Sequence, residues 1–308
     1  MKEESYKAFW EQAAATPERA MAAVDGSVDE ETLQVTGRWT ARQVAHALLL
    51  QKGDRVLELG CGVARVGREL APLCGRWQGV DISESMLKVA RMRTAHLTNV
   101  GFHLLLRTDL AMFAEDVFDK AYAVAVFIHL DKEDVFLYLR ELARVLRPGG
   151  MLYFDAWNLA HSVGWKRWMM EVESWAGSDQ SRRKDVARNQ FCVPEEVRLY
   201  VRKAGLQELL CLVDSPWLQM IAAKPGEGVD LHAAAERVKE NMAEIIITPL
   251  WSELFGSFLD VLSGRKLPAE FWQELTHLGE RPEAGPYRQY FRALWQKQQD
   301  KWGPSPPG

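Results

Sequence analysis

From residue 55 onward, short apolar runs alternate with longer stretches of mixed polarity. The apolar runs fall near 55–60, 76–81, 101–107, 119–127 and 150–156, each about as long as a buried strand. The stretches near 63–74, 83–96 and 132–146 carry apolar residues at helical spacing. Strands alternating with helices predict a parallel sheet with right-handed crossovers, a doubly wound α/β fold. Ala121 to Ile128 is the longest apolar run and reads as a central strand covered on both faces. It is far too short to cross a bilayer.

The flanks of this region read differently. Residues 5–24 predict a helix with Tyr6, Phe9, Trp10 and Ala13 on one face. A second helical stretch covers 40–51 and ends at Lys52-Gly53-Asp54. Residues 1–52 are therefore expected to form a helical N-terminal cap. Arg147-Pro148-Gly149-Gly150 predicts a helix stop and a turn into the strand Met151–Phe154. Residues 157–192 break the alternation as a helical insertion. A helix at 194–204 is opened by Pro194 and closed by Gly205. Strands at 207–213 and 217–223 follow, separated only by Asp214-Ser215-Pro216, which predicts an antiparallel pair. The α/β domain is thus expected over 53–223, insertion included. Residues 224–308 read as an all-helical C-terminal extension, with helices near 230–245, 248–263, 268–278 and 285–301.

Composition adds little beyond class. The chain has 308 residues, 47% hydrophobic and 26% charged, enough for a full-sized core. A formal charge of −4, without large blocks, lacks the basic footprint of a nucleic-acid binder. The expected partner is a small molecule, with neither nucleic acid nor membrane. The N-terminus shows no basic segment followed by an apolar run, so a cytoplasmic location is expected. Cys61, Cys74, Cys192 and Cys211 have neither metal-site nor redox spacing, so reduced thiols and no metal site are expected.

The chemistry concentrates where the first strand ends. Val56-Leu-Glu-Leu-Gly-Cys-Gly62 describes a strand, then a turn with almost no side chains. Gly60 and Gly62 let the main chain approach a ligand closely. Asp81, at the end of the second strand, can accept hydrogen bonds from two ribose hydroxyls. Its alternative role is a helix cap, which Ser83 already fills. Ile82 and Met86 supply apolar contact to a base, or plain packing. Asp109 with the Leu110 amide, after the third strand, could read an adenine edge, or simply make a turn. No glycine stands three residues after Gly62, where a dinucleotide fold would place its third. Glu58 near the turn suits a cationic ligand group better than a phosphate.

These residues together resemble the class I S-adenosylmethionine-dependent methyltransferases of small-molecule type. The match runs through Val56–Gly62, Gly79-Val-Asp-Ile82, Thr108-Asp-Leu110, Phe118-Asp119 with Phe127-Ile-His-Leu130, and Leu146–Gly150. Order and spacing fit from about 54 to 223. The resemblance implies a Rossmann-like, seven-stranded sheet with the last strand reversed, and S-adenosylmethionine as cofactor, released as S-adenosylhomocysteine. It implies that Glu58, Gly60 and Gly62 line the methionine end, Asp81 holds the ribose, and Asp109 with Leu110 holds the adenine. Val124 and Ala125 would lie beneath the sulfonium. The family often has a third glycine where Ala64 stands, and Arg65 matches a position often filled by Arg.

Methyl transfer from a sulfonium needs orientation more than a base. His129, after the fourth strand, is the candidate base or acceptor contact, with a structural role as the alternative. Asp155 and His161 flank the fifth strand's end. Trp165, Trp168, Val172 and Trp175 share a helical face that either packs or walls an acceptor pocket. Substrate contacts are accordingly assigned to Trp157, His161, Trp165 and Trp168. Arg182-Arg183-Lys184 is a short basic run read as surface. The aromatic residues of the C-terminal helices, from Trp251 to Trp295, must be buried as a lid or at a homodimer interface. The function expected is methyl transfer to a small-molecule oxygen, nitrogen or carbon. The rivals are an NAD-dependent oxidoreductase and a non-catalytic S-adenosylmethionine-binding regulatory module.

Overall fold

In the computed structural model, residues 2–27, 29–178 and 189–306 are described. The basic run at 182–184 lies outside them. Three helices come first: α1 (Lys2–Ala13), α2 (Pro17–Asp25) and α3 (Glu30–Ala47). The single helix predicted over 5–24 is two. The Thr16 side chain accepts from the Arg19 amide and Pro17 opens the next helix, so the chain restarts there. Asp29 caps Thr32 in the same way, so α3 begins well before residue 40.

The α/β region follows as β1 (Arg55–Leu59), α4 (Gly67–Leu70), β2 (Arg76–Asp81), α5 (Glu84–Arg93), β3 (Val100–Leu104), β4 (Phe118–Ala123), α6 (Lys132–Val145) and β5 (Leu146–Asn158). Then come α7 (Ser162–Trp175), β6 (Phe191–Cys192), α8 (Pro194–Lys203), β7 (Gln207–Leu212) and β8 (Trp217–Ala223). The sheet order is β3-β2-β1-β4-β5-β8-β7, with β6 paired to β5. All pairs are parallel except those made by β8, which runs against β5 and β7. The expected seven strands with the last reversed are present. An eighth, of two residues, lies inside the predicted insertion. Strand order reverses between β1 and β4, which opens a crevice at their carboxyl ends.

Side chains alternate between two buried faces, as a pleated strand requires. Val56, Tyr122, Tyr153 and Ile221 point into one core with Val44, Leu87 and Val238. Leu57, Ala121, Leu152 and Met220 point into the other with Leu139, Leu142 and Val197. This two-sided burial explains the nearly unbroken apolar runs. Two elements differ from their predicted bounds. The helix expected over 63–74 shrinks to α4 and a 3-10 turn at Ala71–Leu73, because Gly62 and Ala64 take left-handed conformations (φ +50° and +56°). β5 begins at Leu146 rather than after Gly150, with a register shift between Phe118 and Lys120 on β4.

The extension forms α9 (Leu231–Glu240), α10 (Met242–Ile245), α11 (Pro249–Leu262), α12 (Pro268–His277), α13 (Ala284–Lys297) and α14 (Gln299–Trp302). Met242–Leu262 is long and apolar enough to cross a membrane, with mean hydropathy 1.5. Within this chain its apolar residues have partners. Leu254, Phe258 and Val261 pack with Phe271, Phe291 and Trp295. Trp251 stacks on Trp39 of α3 with ring centroids 5.4 Å apart.

Candidate functional site

The crevice between β1 and β4 deepens into a cavity of about 130 Å3. The β1 turn supplies its first wall. Glu58 pairs with Gly79 and Leu59 with Val80 across to β2, and the Cys61 amide donates to Val80 O at 3.0 Å. The turn then doubles back through Gly60 and Gly62, both left-handed (φ +66° and +50°). A Cβ on Gly60 would meet Val126 Cγ2 at 2.5 Å. Glycine is required there by conformation and by close approach together.

Asp81 closes the second wall. Its Oδ2 accepts from the Gly62 amide at 2.7 Å and its Oδ1 from the Ser83 amide at 2.9 Å. Backbone donors from two elements thus fix the carboxylate, which lines the cavity. Burial pushes its pKa up to about 6, against the pull of the Ser83, Gly62 and Ile82 amides. Ser83 Oγ caps Met86 N at 3.1 Å, so Asp81 is not the cap of α5.

Glu58 is buried at 4% exposure in a chain of hydrogen bonds. Trp77 Nε1 donates to Tyr122 Oη at 2.9 Å, and Tyr122 Oη donates to Glu58 Oε2 at 2.6 Å. Burial raises Glu58 to about 8, opposed by the Tyr122 hydrogen bond and the Arg65 charge. Arg65 lines the cavity and is held from outside, donating to Thr40 Oγ1 at 3.0 Å and lying 3.7 Å from Asp25 Oδ2.

The titration of Glu58 is testable in the unliganded protein. Its pKa is raised on folding, so its contribution to stability is full below about 4.5 and is lost as pH rises toward about 8. Glu58→Gln keeps the Tyr122 hydrogen bond and removes the proton. Across that window the wild-type melting temperature is expected to fall relative to the variant. Parallel curves would show that Glu58 ionises freely.

Two elements that sequence reasoning left out cover the cavity. Tyr6 and Trp10 of α1, with Ala23 and Val24 of α2, form its roof. α1 is tied down at both ends of the opening. The Tyr6 hydroxyl accepts from the Asp131 amide at 3.0 Å, ahead of α6, and Glu11 accepts from Glu84 N at 2.7 Å at the start of α5. The sequence placed Tyr6 and Trp10 on one helical face, but gave no signal for what that face covers.

Most predicted cofactor residues converge here. Glu58, Gly60, Gly62, Arg65, Asp81, Ile82, Met86, Val124, Ala125 and His129 all line the cavity. Met86 also packs with Val63 and Val89, so both readings of it hold. Asp109 and Leu110 do not line the cavity. Glu141 of α6 accepts from the Leu110 amide at 2.9 Å, and Asp109 accepts from Ala111 N at 3.2 Å. Arg107 and Thr108, just before them, line the cavity instead.

His129 sits under the Trp10 ring edge, centroids 5.1 Å apart. Burial lowers its pKa to about 4, so it is neutral at pH 7. Its Nδ1 is buried without a hydrogen-bond partner among the described residues.

The residues assigned to substrate contacts do not line this cavity. Trp157 is stacked between Trp217 at 4.7 Å and Phe191 at 5.7 Å. His161 Nδ1 accepts from Val163 N and caps α7. Trp165 is half exposed and pairs with Trp168 at 4.9 Å. None of the described residues after Tyr138 lines the cavity, those of the aromatic C-terminal helices included.

Comparison with known proteins agrees with this geometry. Residues 56–150 match the family described as a methyltransferase domain. Methyltransferase GfsG of Streptomyces halstedii is 35% identical over 129 residues, covering 40% of this chain and 44% of that protein. O-methyltransferase resE of Aspergillus sclerotiorum is 32% identical over 127 residues, covering 40% of this chain and 47% of that protein. The chain thus spans less than half the length of either relative. Magnesium protoporphyrin IX methyltransferase (ChlM) from Synechocystis, solved with bound SAH, superposes with a TM-score of 0.54 at 17% identity, over 73% of this chain and all of that one. Fold and local sequence place residues 56–150 in the class I, Rossmann-like methyltransferase domain class.

Proposed function

We propose that the chain transfers the methyl group of S-adenosylmethionine to an oxygen, nitrogen or carbon of a small molecule. Asp81 is the observation that carries this reading. A buried carboxylate, fixed by two amides and open on its cavity side, suits a pair of ribose hydroxyls. The rest of the donor set fits the same ligand. Gly60 and Gly62 leave room for an amino-acid moiety, and Glu58 matches its cationic amine. Ile82 and Met86 offer apolar contact to a base.

When bound, the cofactor supplies an activated methyl on a positively charged sulfur. This chain's residues then act by holding and enclosing. Val124 to Val126 form the floor, while Tyr6 and Trp10 exclude water from above. Glu58 holds a proton in the empty site and is drawn to its carboxylate form by a neighbouring cation. His129, neutral and only weakly basic, orients an acceptor rather than deprotonating a reluctant one. Orientation of this kind can supply on the order of 7–11 kcal/mol.

The NAD reading is disfavoured by a specific feature. A pyrophosphate needs a helix N-terminus at the glycine turn. Here α4 starts only at Gly67, five residues after Gly62. The methyltransferase reading has the protein act in the cytoplasm, and its charge of −4 is in keeping with a small-molecule partner rather than nucleic acid.

Thermal unfolding tests this. A ligand at 100 times its dissociation constant raises stability by about 2.7 kcal/mol. S-adenosylhomocysteine is expected to raise the melting temperature and NAD to leave it unchanged. The reverse would overturn the proposal. Binding without transfer to any of a broad acceptor panel would favour the regulatory module.

A further inference from the structure

Strand β4 stops at Ala123, four residues short of its predicted end. The cause lies two residues on. Ala125 has φ +56°, a conformation that residues with a Cβ rarely take. Its amide donates to Asp155 Oδ1 of β5 at 2.7 Å. Asp155 is itself buried, at 8% exposure, and does not line the cavity. It does not end β5 either, because the strand continues to Asn158.

The bend sets two contacts that shape the cavity. It seats Val126 against the Gly60 turn, where a Cβ would be 2.5 Å away. It also opens the 3-10 turn that carries His129, whose amide donates to Val126 O at 2.9 Å. A strained bend of this kind persists only when its surroundings over-determine it. Here the charged acceptor across the strand pair supplies that constraint.

We propose that Asp155 is a positioning residue: it holds Ala125 in the left-handed bend and so fixes the cavity floor and His129. This rests on the methyltransferase reading for its consequence, since that floor is the wall assigned to the sulfur. Asp155 does not line the cavity and acts through the Ala125 amide. The Arg65 charge, on the cavity side, favours its carboxylate form against the effect of burial.

Calorimetric titration with S-adenosylhomocysteine tests this on the full chain. Asp155→Asn keeps an acceptor for the amide and is expected to bind within about threefold of wild type. Asp155→Ala removes the acceptor and is expected to weaken binding about tenfold. Adding Ala125→Gly to Asp155→Ala should restore most of the loss, because glycine takes a positive φ without strain. Ala125→Val, with Asp155 intact, should lose affinity as Asp155→Ala does. Wild-type affinity in Asp155→Ala, or no rescue by glycine in a folded double variant, would overturn the proposal.

A readout without ligand separates this from the functional reading. Amide hydrogen exchange across residues 123–130 should speed up in Asp155→Ala but not in Asp155→Asn. If wild type ignores S-adenosylhomocysteine, the functional reading fails, and the exchange pattern still decides whether Asp155 holds the bend. Unchanged exchange in Asp155→Ala overturns it.

Discussion

Asp81→Ala is expected to abolish S-adenosylhomocysteine binding, with a loss of at least about 100-fold, while the protein stays folded. Two effects add. The ribose loses two hydrogen bonds to a charged acceptor, each worth roughly 1.5–3 kcal/mol. The Gly62 amide also loses the oxygen that holds the glycine turn against β2. Stability should change little by comparison. Burial already disfavours this carboxylate, as its raised pKa shows, and water entering from the cavity can serve the two freed amides. A stability loss of about 2 kcal/mol at most is expected. Asp81→Asn, which keeps one good acceptor, should fall between wild type and alanine. Calorimetric titration beside thermal unfolding makes the comparison. Wild-type affinity in the alanine variant would refute the ribose role.

Gly60→Ala should damage both stability and binding. The left-handed conformation costs a residue with a Cβ roughly 1–2 kcal/mol. The new methyl group meets Val126 at 2.5 Å, and overpacking of this kind costs typically about 1–3 kcal/mol. Val126 is stiff at χ1 and is itself part of the cavity floor, so yielding to the methyl displaces the site. A destabilisation of about 2–5 kcal/mol with loss of ligand binding follows. Gly53→Ala is the control. A Cβ there meets nothing within 4 Å, and its φ is not positive. That variant should melt and bind like wild type. Equal behaviour of the two variants would contradict the assigned role of the Gly60 turn.

The β1 turn was legible in the sequence because its chemistry is local. Gly60, Gly62 and Glu58 lie within five residues, and Asp81 follows at the end of the next strand. The two-faced strands were legible for the same reason: a run such as Leu57 beside Val56 needs cores on both sides. What the sequence did not show was set by distant partners. Leu110 looked free to meet an adenine until Glu141, thirty-one residues on, took its amide. Trp157 was assigned a substrate contact, and its packing against Trp217 and Phe255 comes from far along the chain. The α1 roof needed the contacts of Glu11 with α5 and Tyr6 with Asp131, which no periodicity announces. One miss was avoidable: Thr16-Pro17 is a helix-start signal inside the stretch read as a single helix.

Ala64 shows how a departure from pattern can be absorbed. It takes the left-handed conformation (φ +56°) that a third glycine would favour. The conformation persists with a methyl group because the turn is tied on both sides, by Ala64 N to Cys61 O at 2.8 Å and by Arg68 N to Ala64 O at 3.1 Å. The absent glycine therefore leaves the cavity intact.

A crystal structure with S-adenosylhomocysteine bound tests the central claim most directly. The account predicts both ribose hydroxyls within about 3 Å of the Asp81 carboxylate, with the sulfur facing the Val124–Val126 floor. An adenosine bound away from Asp81, or an Asp81 carboxylate that contacts no ligand atom, would contradict it.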